Sequence, residues 1–305
     1  MQSIYRLCAE KYYMIKKAII PVAGFGTRFL PATKSQPKEM LSIIDKPVVQ
    51  FLVEEAVASG ITDIIFVTSR GKHSIENHFD YSFELEHLLA DKGKNDVLKK
   101  IREISDMARF SYVRQKEAKG NGDALLQAEH LIGDEPCAVL FGDDLVDSKV
   151  PCLAQLISVF EKYNNPVAAV CRVPKRERKL YGSVGVKKVG NRIFEINEII
   201  EKPRATKMAL SNFGVVGKYI ITPEIFGILR KLRAELPENS NRELGITEAL
   251  QEYLKSRPIY GCEFEGERYD CGSKIGLMKA IVKFGLKHPE VKSEFKKFLK
   301  RQDFA

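Results

Sequence analysis

The apolar run Ala18-Ile19-Ile20-Pro21-Val22 passes directly into Ala23-Gly24-Phe25-Gly26-Thr27-Arg28, and a second β-branched run follows at residues 63–68. Between them, Val48, Val49, Leu52, Val53, Ala56 and Val57 recur at helical spacing over residues 47–58, and Gly60 closes the pattern. A chain that goes from buried strand to glycine-containing loop, amphipathic helix and buried strand has one economical solution. It is a right-handed βαβ unit in a mainly parallel sheet. In open sheets of this kind ligands sit beyond the carboxyl ends of the strands. The loop that follows residue 22 lies at such an end.

The alternation continues along the chain. Residues 76–106 read as charged and largely helical, 110–114 as a strand, 123–131 as a helix, and 138–141 as an apolar strand ending at Gly142-Asp143-Asp144. A helix over 152–163 and a strand over 167–172 repeat the unit, and an antiparallel pattern follows around 183–201. A strand region spans 210–221, helices 223–232 and 248–254. A last helical stretch at 273–300 offers Phe284, Leu286, Phe295, Phe298 and Leu299 for packing. No repeat or low-complexity linker interrupts this order. With 305 residues, 44% of them hydrophobic, the chain can bury the core of one large α/β domain. The expected limits are residues 14–289, with an extension over 1–13 and a helical tail over 290–305.

A net charge of +9 favours anionic partners: nucleic acid, an acidic membrane surface or phosphorylated small molecules. No apolar run approaches the roughly 18 residues of a membrane span, and the first 13 residues lack a signal-peptide core. The six cysteines (Cys8, Cys137, Cys152, Cys171, Cys262 and Cys271) form no C-x-x-C pair and sit mostly among apolar neighbours, as reduced thiols do. These features predict a soluble cytoplasmic protein.

Gly24 and Gly26 would let backbone N–H groups approach phosphate oxygens, with Arg28, Lys34 and Lys38 to neutralise them. A lone G-x-G is more often a surface turn with solvated charges. It is not a dinucleotide fingerprint, because Phe29 occupies the third glycine position, and no Walker A pattern is present.

The longer stretch "PVAGFGTRFLPATKSQPKEMLSIIDKPVVQ" resembles the signature of nucleotidylyltransferases that join a sugar 1-phosphate to a nucleoside triphosphate. The resemblance continues through "SIENHFDYSFELE", "YVRQ", "KGNGDA", "GDDL", "YGSVGV", "EKP", "SNFGVVGKYIITPEIF", "ELGITEAL" and "YDCGSKIG", covering residues 14 to about 289. Lys38-Glu39-Met40 and Gly217-Lys218-Tyr219 are similar to the uridylyl branch of that family, not the thymidylyl branch. The resemblance implies a Rossmann-like, three-layer αβα fold with a mixed, mainly parallel central sheet and a small antiparallel acceptor-side region. It also implies Mg²⁺-dependent transfer of the uridylyl group of UTP to glucose 1-phosphate, giving UDP-glucose and pyrophosphate. No nucleic-acid or membrane partner is implied, and a homo-oligomer, dimer or tetramer, is. Two other readings keep the fold: thymidylyl or cytidylyl transfer, and a non-catalytic nucleotide-sugar sensor.

By the same resemblance, Arg28 and Lys38 hold the triphosphate and join Lys202 as the catalytic cations. Ala23, Gly24 and Gly26 line the nucleotide, with Glu39 and Gln115 near the base and Gly120 leaving room for it. Gly182 and Glu201 meet the sugar, Lys202 pairs with its phosphate, and Asp143 with Asp270 holds the metal, Asp144 being the weaker candidate. Such a reaction aligns two anions and needs no Ser/His/Asp triad. The chain departs from the usual K-G-L-G-H-A at Asn121 and Asp123, where Asp123 is expected to cap a helix. It departs again in "ELGITEAL", with Gly245 for Gln and Glu248 for Asp.

Overall fold

The computed structural model describes residues 14–203, 205, 208–237 and 241–302; the expected 1–13 extension, with Cys8, lies outside the described residues. Strand β1 (Lys17–Pro21) leads through three 3-10 turns to the small hairpin β2 (Ser42–Ile43) and β3 (Lys46–Pro47). Helix α1 (Val48–Ala58) buries Val49, Leu52, Val53 and Ala56 and ends before Gly60. Strand β4 (Asp63–Thr68) then lies parallel to β1, with Lys17 opposite Asp63 and Pro21 opposite Val67. The expected βαβ unit is therefore present.

Helices α2 (His73–His78), α3 (Phe83–Asp91) and α4 (Asn95–Ser105) precede β5 (Arg109–Arg114), the edge strand beside β4. Helix α5 (Asn121–Ile132) returns the chain to β6 (Cys137–Leu140), buried throughout and parallel to β1 on its other side. Next come β7 (Asp144–Asp147), α6 (Cys152–Tyr163), β8 (Val167–Arg172), β9 (Gly182–Gly190), β10 (Ile193–Ile200) and β11 (Phe213–Ile221). The chain closes with α7 (Pro223–Glu235), α8 (Ile246–Tyr253), β12 (Ile259–Glu263), β13 (Glu267–Asp270), α9 (Lys274–Gly285) and α10 (Lys292–Lys300).

Among the described residues the central sheet has nine strands in the order β5-β4-β1-β6-β11-β8-β12-β10-β9. Strands β5, β4, β1, β6, β8, β12 and β9 run one way, and only β11 and β10 run against them. One face is covered by α1 and α6, whose Leu52, Val53, Leu156 and Phe160 pack with Ile20, Phe66 and Ile220. The other is covered by α5, α7 and α8, through Leu125, Ala128, Phe226, Leu229 and Leu250 on Ile19, Val139 and Tyr219. Both faces of the sheet are buried, which accounts for the near-continuous apolar runs of its central strands.

Three details differ from expectation. The segment after residue 141 does not simply end at Asp144. It begins β7, which pairs antiparallel with β13 so that Asp144 stands opposite Asp270. Strands β12 and β13 carry no alternation that marks them as strands, because polar residues and a cysteine interrupt them and their partners are distant in sequence. The terminal stretch is two helices, parted near Pro289, which cannot continue a helix. Phe295 of α10 packs on Gly285, whereas Phe298 is 55% exposed.

Candidate active site

The first site segment follows β1. Val22 still donates to Val67 O (2.9 Å), but beyond it the backbone leaves the sheet. Ala23 O accepts from Ser69 Oγ (3.0 Å) and Gly24 O from Lys72 Nζ (2.7 Å). Thr33 Oγ1 bonds Gly26 O (2.8 Å), closing the loop on itself. The loop is thus a held structure, not a floppy turn. Arg28 is exposed on the first 3-10 turn, with no ion pair among the described residues, and Lys34 is exposed on the second.

Lys38 and Glu39 lie on the third 3-10 turn. Lys38 Nζ is in direct contact with Asp143 Oδ2 and lies 3.9 Å from Glu39 Oε1. Burial works against the ammonium, but Asp143 and Glu39 outweigh it and raise the Lys38 pKa, so the lysine stays charged. Glu39, 1% exposed, accepts from Lys72 Nζ (3.1 Å). Its burial raises its pKa, and Lys72 and Lys38 pull against that rise.

The second segment follows β6. Asp143 and Asp270 approach each other because Cys271 N donates to Asp143 O (2.8 Å) at the end of the β7–β13 pair. Gly272 N donates to Asp270 Oδ1 (3.1 Å). A Cβ on Gly272 would collide with Asp143 Oδ2 and stand 3.1 Å from Asp270 Oδ1, so both carboxylates face the one space that only glycine leaves open. Two hard oxygen donors facing one space suit a divalent cation such as Mg²⁺, which takes oxygen ligands and keeps several of them as water. Among the described residues no cluster of three or more metal-ligating side chains occurs; a pair of carboxylates meets that more modest requirement. Asp144 has a different part. It accepts from Gly217 N of β11 (2.8 Å) and pairs with Arg268, whose Nη1 reaches Tyr181 Oη (2.7 Å). That chain of bonds ties β7 to β11 and to Tyr181, just before β9.

The third segment lies at the β9–β10–β11 end. Gly182 stands opposite Val215 of β11, beside the Glu201 carboxylate. Glu201 Oε2 accepts from Thr247 Oγ1 of α8 (2.7 Å), and Lys202 Nζ lies 3.5 Å from Glu201 Oε1. Lys202 has φ +37°, a left-handed conformation uncommon for a residue with a side chain, and its side chain is 61% exposed.

The fourth segment follows β5. Gln115 N donates to Thr68 O (2.8 Å), and Gln115 Nε2 donates to Gly120 O (3.1 Å) and Asp123 Oδ2 (2.8 Å). Gly120 has φ +99°, and a Cβ there would run into the Leu244 backbone; close chain packing requires the glycine. Asp123 is not a helix cap: Gly120 holds that position, and the buried Asp123 carboxylate takes Gln115 and Arg233 Nε (3.2 Å) as donors. It is therefore not an unpaired charge. Asn121 Oδ1 accepts from Ile246 N (2.8 Å) beside Gly245, so the departures from the family pattern meet in one place.

Lys72, Arg268, Tyr181, Thr247 and Arg233 were not singled out from the sequence. Lys72 and Arg233 sit in ordinary charged stretches that no spacing rule distinguishes. Arg268 adjoins the quoted "YDCGSKIG" segment, while Thr247 lies within "ELGITEAL" and Tyr181 opens "YGSVGV", the one signal that pointed near them.

Residues 17–285 match the family model described as Nucleotidyl transferase. A relative from Staphylococcus haemolyticus (strain JCSC1435), named UTP–glucose-1-phosphate uridylyltransferase, is 46% identical over 290 residues, 95% of this chain and 99% of its own. Among solved structures, the UTP-bound UGPase from Acinetobacter baumannii is similar with a TM-score of 0.87 at 38% identity, covering 95% of this chain and 100% of that one. A UDP-glucose pyrophosphorylase complexed with UDP-glucose is similar with a TM-score of 0.81 at 42% identity, covering 90% and 100%.

Proposed function

The chain belongs to the nucleotidyl transferase family, and from that premise we propose that it transfers the uridylyl group of UTP to α-D-glucose 1-phosphate, releasing UDP-glucose and pyrophosphate. The observation that supports the reading most is the meeting of Lys38, Asp143 and Asp270 at one sheet edge, between a held loop and an acceptor strand. A phosphate oxygen of the sugar phosphate attacks the α-phosphorus of UTP; the new P–O bond forms as the bond to the pyrophosphate oxygen breaks, in line. The substrate carries its own nucleophile, so the protein's task is alignment and charge stabilisation.

In this reading Arg28 and Lys38 take the triphosphate, Lys38 standing where the two anions meet. Lys202 takes the phosphate of glucose 1-phosphate, and Glu201, steadied by Thr247, accepts from sugar hydroxyls next to Gly182. The base lies over Ala23 and Gly24 with Gln115 at its edge. Gly26 and Gly120 shape the loops, and Glu39 acts through Lys72, which fixes Gly24. Enzymes of this family generally use a divalent metal; we assign Mg²⁺ to Asp143 and Asp270, where it would offset charge on the phosphates.

We place the protein in the cytoplasm, a reading supported by five unpaired cysteines among the described residues. Among the described residues no helix is long and apolar enough to cross a membrane. A homo-oligomer is supported by the exposed apolar row Ile275, Met278 and Val282 on α9 with Leu286 at its C-cap.

Phosphorus NMR of the purified protein with UTP, glucose 1-phosphate and Mg²⁺ should show UDP-glucose and pyrophosphate growing in equal amounts, and chelation by EDTA should stop both. A chain that consumes UTP without forming UDP-glucose would contradict the proposal.

A further inference from the structure

Gln115 is 6% exposed, and its two amide hydrogens are both committed, one to Gly120 O and one to Asp123 Oδ2. Both partners accept only, so the amide has a single sensible orientation: reversed, its carbonyl would face a carboxylate and another carbonyl. Asp123 is itself fixed, because Arg233 of α7 holds its other oxygen. Gln115 Oε1 accepts nothing among the described residues and is not one of the enclosed polar atoms left without a partner. It is therefore presented outward as a bare acceptor.

Across β4, at the end of β1, the polarity of the backbone is set as well. Ala23 O and Gly24 O are taken by Ser69 and Lys72, while the N–H groups of Ala23 and Gly24 donate to no backbone carbonyl among the described residues. The edge of the cleft thus offers N–H donors from one side and a carbonyl acceptor from the other. A base with adjacent C=O and N–H groups complements that edge; cytosine, with an amino group and a bare ring nitrogen, presents the opposite pattern.

We propose that Asp123, held by Arg233, is a positioning residue that locks the Gln115 amide with its carbonyl toward the nucleotide, and so makes the site select uracil over cytosine. The inference rests on the assignment of the base to this edge made above. It gives a task to a residue at which this chain departs from the pattern of the family it resembles. Replacing the carboxylate by an amide leaves Gly120 O as the remaining group that opposes a turned Gln115, which lowers the penalty on cytosine. A residue with a merely structural role would weaken both nucleotides alike.

The test is calorimetric binding of UTP and of CTP to the intact protein, wild type, Asp123→Asn and Arg233→Met, which reads selectivity independently of turnover. The wild type should bind UTP at least roughly tenfold more tightly than CTP, the scale set by one unsatisfied buried polar group. Asp123→Asn should bring the ratio to within about threefold, chiefly by strengthening CTP. Arg233→Met leaves the carboxylate unpinned and should shift the ratio the same way by a smaller factor; it carries the test if Asp123→Asn does not fold. A wild-type ratio near one, a ratio unchanged in the variants, or equal weakening of both nucleotides would overturn the proposal. Normal UTP selectivity in a protein that forms no UDP-glucose would instead strike the functional reading and leave this one standing.

Discussion

Lys202 shows how a single residue can be held for chemistry. It occupies φ +37°, a conformation that costs a non-glycine residue about 1–3 kcal/mol and persists where surrounding structure imposes it. Here the β10 end and the following Pro203 fix it beside Glu201. Its side chain is more than half exposed, so it does little for folding and is free to meet an anion. Lys202→Ala should raise the KM for glucose 1-phosphate about tenfold or more with the KM for UTP nearly unchanged. Asp143→Asn should instead lower kcat by about a hundredfold or more while leaving thermal stability close to wild type. Initial rates with each substrate varied in turn check both; equal effects on the two KM values in the lysine variant would remove its acceptor assignment. Lys72 is less visible: only its bonds to Glu39 and Gly24 O reveal that it holds the loop after β1.

At the level of elements, β11 links the sites. It runs between β6 and β8, carries Gly217 N on Asp144, and pairs with β9 near Gly182. Its Lys218 is fully buried against Glu55 of α1 (2.8 Å), which also accepts from Leu153 N of α6. Lys218→Met leaves that carboxylate buried without its cation and should cost about 3–5 kcal/mol, measured by urea unfolding; the double variant with Glu55→Met should cost less. A single variant as stable as wild type would mean the pair is not buried as described. Helix α2 supplies a second test. His78 meets Gln50 of α1 at 2.9 Å, and burial lowers its pKa. The unfolded chain takes up this proton near ~6.5 and the folded chain only at lower pH. Around and below that value the unfolded state binds more protons, so stability falls as pH drops through it. His78→Gln should flatten that part of the thermal-stability profile, and an unaltered slope would assign it to other groups.

For the molecule as a whole, much of the architecture is legible because its signals are local. The run at residues 17–22, the repeat of α1 and the apolar strands β6 and β8 each state their own structure. β12 and β13 do not, since their strand character comes from partners far away in sequence: Tyr260 pairs with Val167, and Asp270 with Asp144. The same holds for the site. Arg28, Lys38, Glu201 and Lys202 lie in motifs that can be read in order, whereas Arg268, Tyr181, Arg233 and Thr247 gain their meaning from contacts across 46 to 124 residues. Asp123 is the instructive case. Its position suggested a helix cap, and only the fold shows it buried between Gln115 and Arg233.

The central claim is that this sheet edge joins a uridylyl group to a glucose phosphate. Pyrophosphate release measured for UTP, dTTP, CTP and ATP, each against several sugar 1-phosphates, tests it most directly. The highest kcat/KM should fall at UTP with glucose 1-phosphate. Strong turnover with dTTP and little with UTP, or no turnover with any pair, would contradict it.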